Sequence, residues 1–189
     1  QAANALGAAA MAIASGVSPD AAFEAMGQLT GVAGRLQTVG TTKDGAPVLL
    51  DYAHTPDGLD KLLRAARPHT QGRIILVFGA GGDRDPTKRA PMGEIAARLS
   101  DVAIVTDDNP RSEDPAGIRK TILAACPGAQ EIGDREAAIR AGIEMLKAGD
   151  VLLVAGKGHE TGQILADRII PFDETEIVTR ILKELGGEA

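Results

Sequence analysis

Four short apolar runs constrain the fold of this chain more than any other feature of its sequence. They cover residues 48–51, 74–78, 102–105 and 151–155, with almost no alternation between polar and apolar side chains. Strands have this pattern when helices cover both faces of a parallel sheet. Segments with helical spacing of apolar residues separate the runs, so the sequence predicts a doubly wound α/β domain with about six strands.

Two further helices are predicted ahead of this domain. Residues 4–15 are rich in alanine and predict a buried helix that ends at Gly16. Ser18 and Pro19 suit the N-cap and the first position of a second helix. Residues 35–50 predict either a β-hairpin or a linker strand followed by the first strand of the next domain. The remaining predicted elements are helices starting near Thr55, Met92, Pro115, Asp134 and Asp173, and a short strand over Arg168–Phe172.

Composition limits the classes of partner and compartment. The 189 residues are 44% hydrophobic, enough for one substantial core, and the formal charge of -6 gives no general attraction to nucleic acid or anionic membrane. The single Cys126 cannot form an internal disulfide, and no apolar run reaches the roughly 20 residues of a spanning helix. We therefore expect a soluble, cytoplasmic protein. Gln1 follows neither an initiator Met nor a signal pattern, which predicts a fragment or a processed piece.

Polar or glycine-rich loops follow all four apolar runs. Because parallel strands end at the same edge of a sheet, these loops are expected to lie together and to form a ligand site. They are loop 1 (residues 51–57), loop 2 (residues 79–85), loop 3 (residues 107–115) and loop 4 (residues 155–160).

Loop 3 carries the most specific combination of side chains. The guanidinium of Arg111 matches a carboxylate, while Asp108 and Asn109 can accept hydrogen bonds from an ammonium group. Together they suit a zwitterionic amino acid. The alternative is a solvated turn, in which Pro110 and Pro115 direct the chain into a helix.

Several common site motifs are incomplete. In loop 2, Arg84 replaces the third glycine of a dinucleotide-binding fingerprint, and in loop 4, Gly158 replaces the Ser or Thr of a phosphate-binding loop. The three His residues and one Cys lack the spacing of metal ligands, and Ser112 has no recognisable catalytic partners. The sequence therefore predicts neither a complete nucleotide-hydrolysis motif nor a metal site in this chain, and it does not favour a serine hydrolase.

The four loops together resemble the Mur ligases. They read Asp-Tyr-Ala-His-Thr-Pro-Asp, Phe-Gly-Ala-Gly-Gly-Asp-Arg-Asp, Asp-Asp-Asn-Pro-Arg-Ser-Glu-Asp-Pro and Ala-Gly-Lys-Gly-His-Glu, in that order. The resemblance implies that residues 37–189 are the Rossmann-like C-terminal domain, which binds the amino acid. It implies that residues 1–36 are the last helices of the central ATP-binding domain.

The resemblance also implies a reaction. ATP activates the D-glutamate carboxylate of a UDP-MurNAc dipeptide as an acyl phosphate, and the amine of meso-diaminopimelate attacks it. On this reading Arg84 binds the carboxylate beside the attacking amine, although a salt bridge to Asp83 or Asp85 is the alternative for this side chain. The residues implied for the far end of the amino acid are Asp108, Asn109, Pro110, Arg111, Gly156 and Glu160.

For the nucleotide, the resemblance implies contacts from Asn4, Arg35, Asp51 and His54. Family members usually have Asn where this chain has Gln1, so no adenine contact is assigned to Gln1, and backbone bonding is the alternative role for His54. Lys157 and His159 receive no role. The Mg²⁺ ligands and the phosphate-binding loop of the family belong to upstream parts of the central domain.

Two other functions stay open. The chain could be a stand-alone amino-acid-binding module without catalysis, or part of a ligase for another diamino acid such as lysine. As a fragment of a ligase it is expected to be inactive alone, and the family resemblance implies a monomer.

Overall fold

The chain forms two compact units in a computed structural model that describes residues 2–29 and 31–189. The units are Gln1–Val32 and Ala33–Ala189. Gln1 lies outside the described residues, and the assignment of residues 1–36 to an ATP-binding domain stays a prediction. None of the helices within the described ranges is long and apolar enough to cross a bilayer.

The first unit contains two helices, as predicted. Helix α1 spans Ala2–Ala14, and Gly16 follows it with a positive φ of 101°. Helix α2 spans Pro19–Met26, and the Ser18 hydroxyl caps it by accepting the Ala21 N–H at 3.3 Å. The end of α1 and the start of α2 therefore lie at the residues that the sequence predicted, Gly16 and Ser18.

The prediction that the first helix is buried was wrong for the side chains that the structure describes. Ala9 is buried, but Leu6 and Met11 are 55% and 68% exposed. In α2, Phe23 is also 56% exposed. Two short helices can cover only one side of each other, so a 32-residue unit leaves most of its apolar surface uncovered.

The second unit is built on a six-stranded sheet with a separate hairpin. Sheet neighbours follow the order first, second, sixth, third, fourth, fifth; the first two strands are antiparallel and all other neighbouring pairs are parallel. This confirms the predicted fold class. The strands are β1 (Gln37–Thr41), β2 (Pro47–Asp51), β3 (Ile74–Phe78), β4 (Val102–Val105), β5 (Gln130–Glu131) and β6 (Val151–Ala155), with β7 (Gly162–Ile164) and β8 (Ile169–Pro171) in the hairpin.

Helices cover both faces of the sheet. Along β3, Ile74, Leu76 and Phe78 pack into one core with three helices, whereas Ile75 and Val77 pack into a second core with the other two. The near-continuous apolar pattern arises because both faces are buried. The helices are α3 (Pro56–Ala66), α4 (Arg89–Leu99) and α5 (Pro115–Ala124) on the first face, and α6 (Arg135–Glu144) and α7 (Glu174–Glu184) on the second, with 3₁₀ turns at Arg67–His69 and Pro86–Lys88.

Two strands of the second unit differ from the prediction: one lies outside the main sheet, and one was not predicted. The segment near Arg168–Phe172 does form a strand, but β8 pairs with β7 instead of joining the main sheet. The sixth member of the sheet is the two-residue β5, which is polar and exposed and so carries no apolar signal. Residues 37–51 form a β-hairpin, whose second strand is also the first parallel strand of the sheet.

Asp150 ties the start of β6 to the start of β3. Its carboxylate accepts the Arg73 N–H at 2.7 Å, the Lys147 N–H at 3.0 Å and a guanidinium N–H of Arg73 at 2.6 Å. The Arg73 guanidinium, with these backbone donors, lowers the pKa of Asp150 to about 2. This carboxylate thus joins two adjacent strands at the edge opposite the four loops.

We expect Asp150→Asn to lower the free energy of unfolding by about 2 kcal/mol at pH 7. The folded pKa lies below the unfolded value, so the contribution is complete above about pH 4 and is lost as the pH falls towards 2. Urea denaturation of both proteins between pH 2 and 7 measures the difference. The exposed Asp167, replaced by Asn, serves as the control. A gap between Asp150→Asn and the parent that does not shrink on acidification would contradict this account.

Candidate functional site

The four loops meet in one cleft at the carboxyl edge of the parallel strands. The cleft has a volume of about 520 Å³ and is lined by all four loops and the first residues after loop 2. The prediction that the four loops share one edge is therefore confirmed. The lining residues are Tyr52, His54, Thr55, Pro56, Gly81, Arg84, Asp85, Lys88, Asp108, Asn109, Arg111, Gly156 and Glu160.

Arg111 is held at the cleft by its backbone and by one side of its guanidinium. Its φ is 52°, a left-handed conformation, and its N–H donates to Ile164 O in β7 at 3.1 Å. Nη1 donates to Gly82 O at 2.8 Å and to Asn109 O at 3.3 Å. Nε and Nη2 have no hydrogen-bond acceptor among the described residues, which leaves one face of the fork for a ligand carboxylate.

A buried network joins loop 3 to loop 4. Lys157 has no exposed side-chain surface, and Nζ donates to Asn109 Oδ1 at 2.9 Å and to Glu160 Oε2 at 3.2 Å. Asn109 Nδ2 also donates to Glu160 Oε2, at 2.9 Å. Asp108 lies beside the same ammonium, with 3.9 Å between Oδ1 and Nζ. Loop 4 thus positions the polar groups of loop 3.

The carboxylates of this network can bind a cation. Burial alone would raise the pKa of Glu160, but the Asn109 hydrogen bond and the Lys157 and Arg111 charges outweigh burial and hold that pKa below its ordinary value. The side chain of Asp108 is 7% exposed and accepts no hydrogen bond from the described residues. An ionised Glu160 and the Asp108 carboxylate, which accepts no hydrogen bond from the described residues, therefore line the cleft together with Arg111. This is the arrangement that a zwitterion requires.

Close contacts with neighbouring side chains fix the shape of loop 4. Gly156 has a φ of 126°, and a Cβ there would lie 3.0 Å from Asp108 Oδ2. Gly158 has a φ of 59°, and a Cβ there would lie 2.8 Å from the Tyr52 Cβ. The glycines on either side of Lys157 let the loop fold tightly beneath the cleft, between loop 1 and loop 3.

Arg84 extends from loop 2 with its charge available. Its guanidinium donates to the Asp83 carbonyl at 3.0 Å, and no carboxylate among the described residues lies within salt-bridge distance of it. The carboxylate of Asp83 accepts from the Ser112 hydroxyl at 2.8 Å, and that of Asp85 accepts from Thr87. The alternative predicted for Arg84, a salt bridge to either aspartate, is therefore not formed.

Lys88 is a further cation in the cleft that the sequence analysis did not identify. Nζ donates to His54 O at 2.9 Å, and burial lowers the pKa of this lysine. Lys88 lies four residues after Arg84, at the end of the 3₁₀ turn that precedes α4. Because side chains four residues apart in a helical segment lie on the same face, this spacing could have identified Lys88 from the sequence. A deeper ion pair, from Arg89 to Glu113 at 2.8 Å, joins the start of α4 to loop 3.

Loop 1 forms a small aromatic cluster around Tyr52. The Tyr52 ring lies 4.6 Å from the His54 ring and 5.3 Å from the His159 ring, and the Arg35 guanidinium lies 4.8 Å from its centroid. His54 Nδ1 contacts Tyr52 O at 2.8 Å, so backbone bonding, the alternative considered for this histidine, is present. The second ring nitrogen is directed away from that bond, and His54 lines the cleft.

Asp51 organises the backbone where β2 ends. Its carboxylate accepts the Leu36 N–H and the Ala53 N–H, both at 2.8 Å. Each oxygen retains a lone pair for a ligand hydroxyl. Asp51 lies at the start of loop 1 but does not line the cleft. The same carboxylate therefore connects the segment that carries Arg35 to the edge of the sheet.

The structure brings together most of the predicted site residues. Those that line the cleft are Arg84, Asp108, Asn109, Arg111, Gly156, Glu160 and His54. Pro110 is buried within loop 3, and Arg35 is exposed beside loop 1. Asn4 lies on α1 of the first unit. Among the described residues, no three His, Cys, Asp or Glu side chains are grouped so as to hold a metal ion.

Comparison with known proteins gives consistent matches. The family model described as "Mur ligase, glutamate ligase domain" matches residues 34–158. A curated relative from Chelativorans sp., named UDP-N-acetylmuramoyl-L-alanyl-D-glutamate--2,6-diaminopimelate ligase, is 59% identical over 97% of this chain. A relative of the same name from Caulobacter vibrioides is 58% identical over 99% of the chain. In both cases the match covers 38% of the relative, so this chain spans well under half of the proteins it resembles.

Solved structures match the same region. One that carries the same ligase name is 34% identical with a TM-score of 0.77, and the match covers 95% of this chain and 37% of that structure. A UDP-N-acetylmuramate-alanine ligase from Thermotoga maritima is 20% identical with a TM-score of 0.69, over 97% of this chain and 37% of that structure. The second match shows a common fold.

Proposed function

Because the chain belongs to the Mur ligase family, whose family model matches residues 34–158, we propose that it is the amino-acid-binding part of an ATP-dependent amide ligase. The proposed reaction adds meso-diaminopimelate to UDP-MurNAc-L-Ala-D-Glu. The names of relatives at 59% and 58% identity support this choice of reaction. The observation that carries it is the cleft itself, which places the guanidinium of Arg111 close to two carboxylates, as the far end of a diamino dicarboxylic acid requires.

The proposed chemistry divides into activation and attack. The γ-phosphoryl group of ATP is transferred to the D-glutamate carboxylate, which gives it a leaving group. The nitrogen of the acceptor then forms a bond to the carbonyl carbon, the carbon–oxygen bond to phosphate breaks, and the nitrogen loses its proton. The contribution of this chain is to bind and orient the acceptor, which can supply a large part of the rate acceleration.

In the proposed complex, four side chains bind the two ends of the acceptor. Arg84 binds the carboxylate beside the attacking amine, and its charge is available for this purpose. Arg111 binds the far carboxylate, while Asp108 and Glu160 bind the far ammonium group. Asn109 orients Glu160 through the hydrogen bond between them. Gly156 permits the close approach of loop 4, and Pro110 shapes loop 3.

The acceptor proposed here follows from the balance of charges. Lysine has an ammonium group at its far end, which Asp108 and Glu160 could bind, but it has no carboxylate for Arg111. With lysine the free face of the Arg111 guanidinium would lose water without gaining an anion. The cleft therefore favours an acceptor with an ammonium group and a carboxylate at each end over lysine, which has no carboxylate at its far end.

We propose that Asn4, Arg35, Asp51 and His54 contact the nucleotide. The free lone pairs of Asp51 suit a ribose hydroxyl, and the exposed Arg35 suits a phosphate. We place the Mg²⁺ ligands in the part of the longer protein that this chain does not contain, and no role proposed for these residues depends on the metal. Because its substrates are ATP and a UDP-linked precursor, we place the enzyme in the cytoplasm, and we propose a monomer.

The test is a reconstitution with the complete polypeptide that carries this chain. With ATP, Mg²⁺, the UDP-linked dipeptide and meso-diaminopimelate, we expect one tripeptide product for each ATP hydrolysed. The 189-residue chain alone is expected to give no product, because it spans 38% of its relatives. Tripeptide formation by the chain alone would overturn the fragment assignment. Binding of meso-diaminopimelate without any ATP-dependent product from the complete polypeptide would instead favour a binding module.

A further inference from the structure

Lys157 is a buried charge for which the proposed reaction has no use. Its side chain has no exposed surface, and its three N–H donors have three acceptors: Asn109 Oδ1 at 2.9 Å, Glu160 Oε2 at 3.2 Å and Gly162 O at 2.7 Å. An ammonium group has three donors, so this one is fully satisfied by the protein. Lys157 therefore has no donor left for a ligand, and its effect on the cleft must pass through other residues.

The first of these effects is on the orientation of the Asn109 amide. Asn109 Oδ1 accepts from Lys157 and also from the Ile164 N–H at 2.9 Å. Because both of these donors bind Oδ1, the Asn109 amide is fixed in the orientation in which Nδ2 is directed away from Lys157 Nζ and the Ile164 N–H. There Nδ2 donates to Glu160 Oε2 at 2.9 Å. Without the ammonium, one of the two contacts that set this orientation is lost.

The second effect is on the two oxygens of Glu160. Oε2 accepts from both Lys157 and Asn109, whereas Oε1 has no hydrogen-bond donor among the described residues. The side chain is 33% exposed and lines the cleft. One oxygen is thus held by the protein, and the other is presented to the ligand. Lys157 also lies 3.9 Å from Asp108 Oδ1, so it limits the repulsion between the Asp108 and Glu160 carboxylates.

We propose that Lys157 is a positioning residue that determines selectivity for an acceptor with an ammonium group at its far end. It acts by fixing Asn109 and by holding Glu160 so that Oε1 meets that ammonium. The inference rests on the proposed function and adds a residue to it. Arg111 selects the far carboxylate, and Lys157 selects the far ammonium through its two neighbours.

The experiment compares two acceptors in the complete polypeptide. meso-Diaminopimelate has the far ammonium, whereas 2-aminopimelate has the same chain and both carboxylates but lacks it. For Lys157→Met, we expect kcat/KM for meso-diaminopimelate to fall about 10- to 100-fold, the worth of a hydrogen bond to a charged group. The value for 2-aminopimelate should change less than about threefold, since that acceptor makes no contact with Glu160 through an ammonium. The KM for ATP should stay the same.

Two variants act as controls. Lys120→Met removes an exposed lysine of α5, and it should leave the ratio of kcat/KM values for the two acceptors at the parent value. Asn109→Ser keeps Lys157 and its direct bond to Glu160 but removes the amide that donates to Glu160 Oε2, so the ratio should also fall, though by less than in Lys157→Met. If Lys157→Met does not fold, Asn109→Ser decides the question.

The outcomes separate this inference from the proposed function. If the parent enzyme does not use meso-diaminopimelate, the proposed function fails and the role of Lys157 fails with it. If the parent does, but the substitution lowers kcat/KM for both acceptors equally, Lys157 merely supports the fold of the loop and the selectivity role is wrong. An unchanged ratio in Asn109→Ser would likewise overturn it.

Discussion

Replacing Arg111 by alanine is expected to weaken the binding of meso-diaminopimelate to the complete ligase by about 2–5 kcal/mol. This corresponds to an increase in Kd of roughly 30- to 5,000-fold. The acceptor carboxylate would enter the cleft without the guanidinium proposed to pair with it, while the Asp108 and Glu160 carboxylates would still line that cleft. The loss is large because it includes both the missing ion pair and the penalty of an unpaired anion.

The structure indicates that this loss would come from the side chain and not from the backbone. Arg111 has a φ of 52°, and alanine in this conformation carries the same Cβ strain as arginine. Among the described residues, the side chain donates hydrogen bonds to two carbonyl oxygens, Gly82 O and Asn109 O. The loop conformation itself depends on the N–H of residue 111, which the substitution retains.

Lysine is the control acceptor for this prediction. It lacks the far carboxylate, so its weak use by the enzyme should be the same in Arg111→Ala as in the parent. Steady-state kinetics with each acceptor, together with Arg168→Ala as an exposed control, measures the difference. If Arg111→Ala used meso-diaminopimelate as well as the parent does, a ligase for another diamino acid would become the better reading.

Burial on both faces explains why much of the fold could be predicted from the sequence. Strands β3, β4 and β6 begin and end where their apolar runs do. Helix starts were also predictable, because Thr55, Asp134 and Asp173 each accept a backbone N–H as N-caps. The two-residue β5 has no pattern to detect, since its backbone pairing with β4 depends on position alone. The exposure of α1 was not predicted, because an alanine-rich helix has an apolar sequence whether it is buried or exposed.

The site was predictable to the level of its loops but not of its contacts. Topology alone brings the carboxyl ends of parallel strands together, so the position of Arg84, Asp108 and Arg111 on one edge followed from the order of strands and helices. The burial of Lys157 could not be read from its neighbours. Its partner Asn109 is 48 residues away in sequence, and only the packing of loop 4 under loop 3 joins the two.

Below the cleft, Arg135→Met is expected to lower the free energy of unfolding by about 3–5 kcal/mol at pH 7. Arg135 is the first residue of α6 and Glu174 the first of α7, and their side chains pair at 2.7 Å with no exposed surface on either. Arg135 also donates to Ala155 O at 2.9 Å and to Asp107 O at 3.3 Å. The substitution removes the counter-ion of a buried carboxylate and two donors to the strand ends that carry the site.

The pH dependence of the free energy of unfolding of Arg135→Met shows whether the unpaired Glu174 carboxylate causes the loss of stability. Burial raises the pKa of Glu174 more than the Arg135 charge lowers it, and without Arg135 that pKa rises further. A folded pKa above the unfolded value of about 4.3 means that the native state binds more protons, so stability falls as the pH rises through the interval between the two values. Arg135→Met should therefore be closest to the parent near pH 4 and furthest from it above the raised pKa of Glu174.

A double substitution separates the unpaired charge from the lost packing. Arg135→Met with Glu174→Met replaces both members of the pair with apolar side chains, and it should recover most of the stability lost in Arg135→Met. The exposed pair of Lys61 with Asp57 gives the scale for a surface contact, and Lys61→Met should cost no more than about 1 kcal/mol. If the double variant were as unstable as Arg135→Met at every pH, the loss would lie in the hydrogen bonds to Ala155 and Asp107. Arg135 would then support the cleft through those carbonyl groups and not through its charge.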